Sequence, residues 1–142
     1  MQNHRRALAG VFVGGVLSLL TAGCGSSYSL GTVTGTVTLD GKPLPQATVI
    51  FSRGQGRMSV GTTDEAGRYE LQYTASEKGA EPGAHTVRIT SQIDAVSGEG
   101  DLAAVEGRKE LLPPRYNEKT ELTAEVKPGG NTIDFDLTST GK

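Results

Sequence analysis

Between Thr32 and Phe51 the chain alternates so regularly that it restricts the fold to a β-sheet protein. Val33, Gly35, Val37 and Leu39 share one parity and Thr32, Thr34, Thr36 and Thr38 the other, the period of a strand with one buried face. Asp40-Gly41 then reads as a turn, because glycine enters positive φ without a steric penalty and aspartate tolerates it. Pro43 and Pro45 flank Leu44 and stiffen the connection into a second run ending at Phe51. Twenty glycines, 5% aromatic residues and no tryptophan favour short strands and frequent turns over helices.

Further strands follow the same logic. The pattern predicts strands over about 30–39, 46–53, 57–63, 68–73 and 84–91, and a final hairpin. Met58 and Val60 share a face of the third. Tyr69, Leu71 and Tyr73 point inward from the fourth, and Val87 and Ile89 from the fifth, with Arg88 opposite them. In the hairpin, Leu122, Ala124 and Val126 alternate with Glu121, Thr123 and Glu125. Pro128-Gly129-Gly130 makes its turn, and Ile133, Phe135 and Leu137 alternate with Asp134 and Asp136. The expected fold is an all-β, seven-stranded antiparallel β-sandwich over residues 30–142, of a length that allows one domain with a real core. No repeat of solenoid period is present.

The pattern lapses between Gln92 and Lys119. Scattered apolar residues allow one helical turn at Leu102-Ala103-Ala104-Val105, between Gly100 and Gly107. The end of the segment, from Leu111 through Pro113, Pro114 and Tyr116 to Asn117, is expected to be anchored on the core. A loop of this length in a compact domain is a candidate for function.

The first 29 residues read as an address. Arg5 and Arg6 precede an apolar run from Ala7 to Leu20, which breaks at Thr21-Ala22-Gly23-Cys24. That order is the n-region, h-region and small-residue cleavage site of a secretory signal over 1–23, too short and glycine-interrupted for a membrane span. Ala22-Gly23-Cys24 also resembles the lipobox of bacterial lipoproteins, with Thr21 standing where the family prefers leucine. The resemblance implies acylation of Cys24, cleavage before it, and a tether from Gly25 to Ser29 (domain bounds 24–29). Gly25 in place of aspartate implies the outer rather than the inner membrane in a diderm host. Acylation would give the protein the membrane as a partner through the lipid on Cys24.

Removing Arg5 and Arg6 with the signal leaves 12 basic against 16 acidic residues. Mild acidity without a basic cluster argues against a nucleic-acid partner. The lone Cys24 permits no internal disulfide, and with two histidines it does not complete a structural zinc site.

Four pieces in order resemble the carboxypeptidase regulatory-like domain, a family with a transthyretin-like (prealbumin-like) sandwich. They are Gly35-Thr36-Val37, Asp40 through Val49, Thr63-Asp64-Glu65-Ala66-Gly67-Arg68-Tyr69, and Pro82-Gly83-Ala84-His85-Thr86-Val87-Arg88-Ile89. Residues 111–137 resemble a tail found in small bacterial lipoproteins bearing this domain. These motifs are turn chemistry and core positions, so they imply a fold and say little about a ligand.

Candidate chemistry is sparse. His85, the only histidine after processing, occupies an aromatic-or-histidine slot of the resembled motif, with no nucleophile or carboxylate tied to it. A transthyretin-like branch hydrolyses 5-hydroxyisourate with several histidines, an arginine and a C-terminal Tyr-Arg-Gly-Ser. This chain carries Thr138-Ser139-Thr140-Gly141-Lys142 there and lacks those histidines. Asp40, Asp64, Glu65, Asp134 and Asp136 read as turn formers and solvated faces rather than calcium ligands, and no metal or other cofactor is expected. Sugar stacking needs exposed flat aromatics. Tyr69 and Tyr73 point inward, Tyr116 anchors its loop and Tyr28 lies in the tether. Pro113-Pro114 is a short polyproline element. The expectation is therefore a non-catalytic, lipid-anchored envelope module with a structural or protein-interaction role. The alternative is a small-ligand or glycan-binding lipoprotein using the 92–119 loop, and a hydrolase is remote.

Overall fold

The computed structural model describes residues 29–140. The signal segment, Cys24 and most of the tether lie outside the described residues. The elements are β1 (Gly31–Leu39), β2 (Lys42–Pro43), β3 (Thr48–Ser52), β4 (Ser59–Thr62), β5 (Arg68–Glu70), β6 (Gly83–Thr90), a 3-10 turn at Pro114–Tyr116, β7 (Thr123–Val126), β8 (Gly129–Thr132) and β9 (Phe135–Leu137). The chain is all-β, in two sheets that do not close into a barrel. One sheet is built on β1, which pairs antiparallel with β2 and β5 and parallel with β8 and β9. The other runs β4-β3-β6-β7, antiparallel throughout.

The inward parities meet between the sheets. Val33 and Val37 come from β1, Val49 and Phe51 from β3, Val87 and Ile89 from β6, and Phe135 and Leu137 from β9. Phe135 packs edge-on to Phe51 at 6.2 Å between ring centroids and tilts against Tyr69 at 6.4 Å. Each of these side chains, fully buried, contributes about 1.5–3 kcal/mol relative to exposure.

Two pairings differ from the expectation. Val126, Phe135 and Leu137 point inward as their alternation predicts, yet β7 and β8 do not form a hairpin. The chain leaves one sheet after Val126 and joins the other, so Gly129 and Gly130 lie within β8 rather than in a turn. Asn131 shapes this crossing: its Oδ1 accepts from Lys127 N at 2.9 Å, and its Nδ2 donates to Lys127 O at 2.8 Å and to Thr32 O at 3.1 Å. Because β8 and β9 then run alongside β1, the first sheet is mixed rather than antiparallel.

The opening strand–turn–strand unit is likewise divided between the sheets. Asp40 (φ 51°) and Gly41 (φ 79°) form the two-residue turn that their types suggest, pairing Leu39 with Lys42 and Thr38 with Pro43. The return strand is only this β2. The chain then crosses with Leu44 and Ala47 buried and Gln46 at φ 54°, and β3 enters the opposite sheet. The described residues form nine strands where seven are expected: β2 is an addition, and the last expected strand is divided into β8 and β9. The break between those two falls at Ile133 and Asp134, where Ile133 N donates to Thr34 O at 2.8 Å and Asp134 Oδ1 accepts from Thr36 N at 2.8 Å.

Met58 and Val60 share a face as expected, and it is the outer one, because Ser59 and Gly61 face the core. A Cβ on Gly61 would stand 2.7 Å from Glu70 O, so that position admits only glycine against β5. Tyr73 is half-buried rather than core, since β5 ends at Glu70 and Gln72 turns aside to bridge Val60. No helical turn forms at 102–105; Val105 pairs across to Val96 instead.

Candidate functional site

Several polar residues of the resembled motifs are engaged in holding the fold. Thr63 is buried, its hydroxyl donating to Leu44 O at 2.6 Å and accepting from Ala47 N at 2.8 Å. Asp64 Oδ1 accepts from Ala66 N and Arg68 N, both at 2.9 Å, and Oδ2 lies 3.3 Å from Arg68 Nε. The Arg68 backbone N–H leads in holding that carboxyl below its ordinary range. Gly67 (φ 73°) completes the turn, where a Cβ would stand 2.5 Å from Val37 O. Tyr69 donates its hydroxyl to Ile133 O at 2.7 Å, and burial pushes its pKa up.

His85 is a core side chain, 3% exposed and tilted against Phe51 at 5.7 Å. Its Nε2 stands 2.7 Å from Glu81 O, and a carbonyl only accepts, so that nitrogen carries the hydrogen. Nδ1 is buried without a partner. Asp40 Oδ1 accepts from Ser139 N at 3.0 Å, and Asp136 Oδ1 from the Thr38 hydroxyl at 2.7 Å. Glu65 is exposed beside the Asp64 turn. These acids are spread along the first sheet and its turns. Tyr73 donates to Glu81 at 2.7 Å, and Tyr116 accepts from Thr138 N at 3.2 Å with Arg115 over its ring. Pro113 and Pro114 lead into the 3-10 turn, and Leu112 and Tyr116 anchor that stretch while Leu111 remains exposed. Cys24, and with it the lipid site, lies outside the described residues.

The 92–119 segment contains an organised element. Ile93 bridges Arg108 and Val96 bridges Val105, giving an irregular two-stranded arm beyond the end of β6. Two residues that the sequence pattern does not single out fix its root. Arg108 donates from Nε to Ser91 O at 2.8 Å and from Nη2 to Pro45 O at 3.2 Å and Gln46 O at 3.0 Å. Glu110 accepts from the Ser91 hydroxyl at 2.5 Å, Ser91 N at 2.9 Å, Leu112 N at 3.0 Å and the Thr90 hydroxyl. Burial raises the Glu110 pKa, but these donors outweigh it and bring it down from 4.5 to about 2. Their partners are mostly backbone groups distant in sequence, so spacing carried no signal for them.

Between this arm and the outer face of β3 and β4 runs an open groove of about 600 Å³. Its sheet wall carries Gln46, Thr48 and Thr62; its arm wall carries Gln92, Ile93, Ala104, Val105 and Glu106. Thr48 and Thr62 are register partners, so their hydroxyls stand side by side on the outer face. The groove combines neutral hydrogen-bonding groups, one carboxylate and an apolar wall. It can hold a small polar group with an apolar stem.

No protein-family profile matches the chain, and no curated protein sequence matches it. Among solved structures it is similar to a DUF3823 family protein from Parabacteroides merdae, at 14% identity and a TM-score of 0.38 over 76% of this chain and 45% of that one. It is also similar to a 9R-lipoxygenase from Cyanothece, at 21% identity and a TM-score of 0.37 over 78% of this chain and 16% of that one. The chain thus spans less than half the length of either protein.

Proposed function

We propose that the protein is a non-catalytic, lipid-anchored envelope module of the transthyretin-like, carboxypeptidase regulatory-like kind, with a structural or protein-interaction role. The observation that carries this reading is the use made of the motif residues. Thr63, Asp64, Gly67, Tyr69 and His85 are committed to turns, backbone bonds or core packing. A domain whose recognisable residues build the scaffold is suited to present surface. The export signal and Cys24, seven residues before β1, supply the address. Metabolic labelling with palmitate tests the anchor: label on the wild type and none on Cys24→Ser is expected. Unchanged label would overturn lipidation.

A second reading, a small-ligand or glycan-binding lipoprotein, is favoured by the groove beneath the arm. Deletion of Gln92–Lys109 separates the two. A folded deletion variant that keeps every partner would exclude the loop as the binding element.

A further inference from the structure

The groove has a second property, which comes from charge. Between Ile93 and Gly107 the arm carries Asp94, Glu99, Asp101 and Glu106 and no lysine or arginine. Beyond the signal segment the chain has 16 acidic and 12 basic residues, so the remainder, without those four acids, balances at 12 each. The span from Ile93 to Gly107 thus carries a formal charge of −4, with Arg108 and Lys109 following at the root of the arm. Arg108, the next basic residue along the chain, directs its donors to three backbone carbonyls at the arm's root, and Lys109 beside it is exposed. Glu106, the groove's own carboxylate, has no ion-pair partner among the described residues.

We propose that this groove docks a lysine side chain from an extended segment of a partner protein. It builds on the protein-interaction reading above and is independent of the lipid anchor. An ammonium on an aliphatic stem matches the three kinds of lining. Glu106 receives the charge, Ile93 and Val105 pack the methylenes, and Gln46, Thr48 and Thr62 meet the neighbouring peptide groups. An anionic ligand would enter against the field of the arm, whereas a cation is drawn in by it. The occupant's backbone distinguishes it from a free diamine, which leaves the Thr48 and Thr62 hydroxyls unused.

The test is a titration of the detergent-solubilised full-length protein, isotope-labelled and followed by backbone amide shifts. The probes are acetyl-Ser-Lys-Ser-amide, the same peptide with norleucine for lysine, and 1,5-diaminopentane. The lysine peptide is expected to shift the amides of Thr48, Thr62 and Val105 to saturation, with the norleucine peptide about tenfold weaker for want of the charge-assisted contact. Glu106→Gln should weaken the lysine peptide about tenfold at both low and high salt, because the contact is direct. Asp101→Asn should weaken it only at low salt, where long-range attraction is unscreened. Thr62→Val, on the opposite wall, should lose affinity for the peptide and keep that for the diamine. Equal binding of lysine and norleucine peptides, or an unchanged Glu106→Gln, would overturn the site. Diamine binding as tight as the peptide would overturn the peptide as its occupant. Failure of all three probes would sink the groove proposal and leave the palmitate result untouched.

Discussion

The Ser91 hydroxyl donates to Glu110 Oε1 at 2.5 Å and accepts from Leu111 N at 2.8 Å, joining the end of β6 to the strand that returns from the arm. With Arg108 on Ser91 O, both sides of the arm are tied to one residue. The arm can therefore vary above this knot without loosening the sandwich below it.

Acid should weaken that knot. Glu110 titrates near 2 when folded against 4.5 ordinarily, so the fold stabilises its charged form. The contribution is complete above about pH 4.5 and is lost as pH falls through about 2. Allowing for solvent screening, it is worth about 1–2 kcal/mol. Urea unfolding at stepped pH should find Glu110→Gln less stable than wild type at pH 7, with the difference gone near pH 2. A constant difference across that range would refute the assignment.

Shortening the arm should cost little. Residues 97–104 form no hydrogen bond to Ser91, Arg108 or Glu110, and Leu102 is 73% exposed. Replacing them by Asn-Gly should leave the urea midpoint within about 0.5 kcal/mol of wild type, as exposed segments usually do. Arg108→Ala should cost about 2 kcal/mol by removing charge-assisted bonds to three carbonyls. If the short arm proves the more damaging change, the knot is not the structural element.

Thr63 tests the crossing between sheets. Thr63→Val keeps its shape but strands Leu44 O and Ala47 N, both bonded to the buried hydroxyl. The expected loss is about 2–3 kcal/mol in denaturant unfolding, with most of it restored by serine. An equal loss for serine and valine would point to packing instead.

Glycines should divide into two kinds. A Cβ at Gly35 would lie 1.8 Å from Ile133 O, so Gly35→Ala should cost more than about 3 kcal/mol or prevent folding. Gly41 has open space around it and only its φ of 79° to answer for. Gly41→Ala should cost about 1–2 kcal/mol. Similar melting temperatures for the two variants would contradict the close approach of β1 to the β8–β9 junction.

Faces were legible in the sequence and partners were not. Period-two alternation placed Val37, Val87, Ile89 and Leu137 inward because parity depends only on the strand itself. Pairing depends on where a turn sends the chain, and Pro128-Gly129-Gly130 suits a hairpin or a crossing equally well. Asn131 decides between them through bonds to Thr32 and Lys127, which no local pattern reveals. Which face of β4 turns inward has a related cause: Gly61 is required by the close approach of Glu70 on β5, which the alternation of β4 alone does not reveal. The groove was legible only as an unpatterned loop, since its sheet wall is formed by Gln46, Thr48 and Thr62, far from the arm in sequence.

The parallel contact of β1 with β8 and β9 also determines how the domain would respond to tension. The chain enters at Gly31 and leaves after Leu137, at opposite ends of the same paired ribbon. A pull between those points loads the hydrogen bonds from Gly31 to Leu39 together, in shear, instead of unzipping them one by one. The strand that opens the described fold is thus gripped along its length by the last strands of the chain, so a load between Gly31 and Leu137 meets its resistance along the whole ribbon at once.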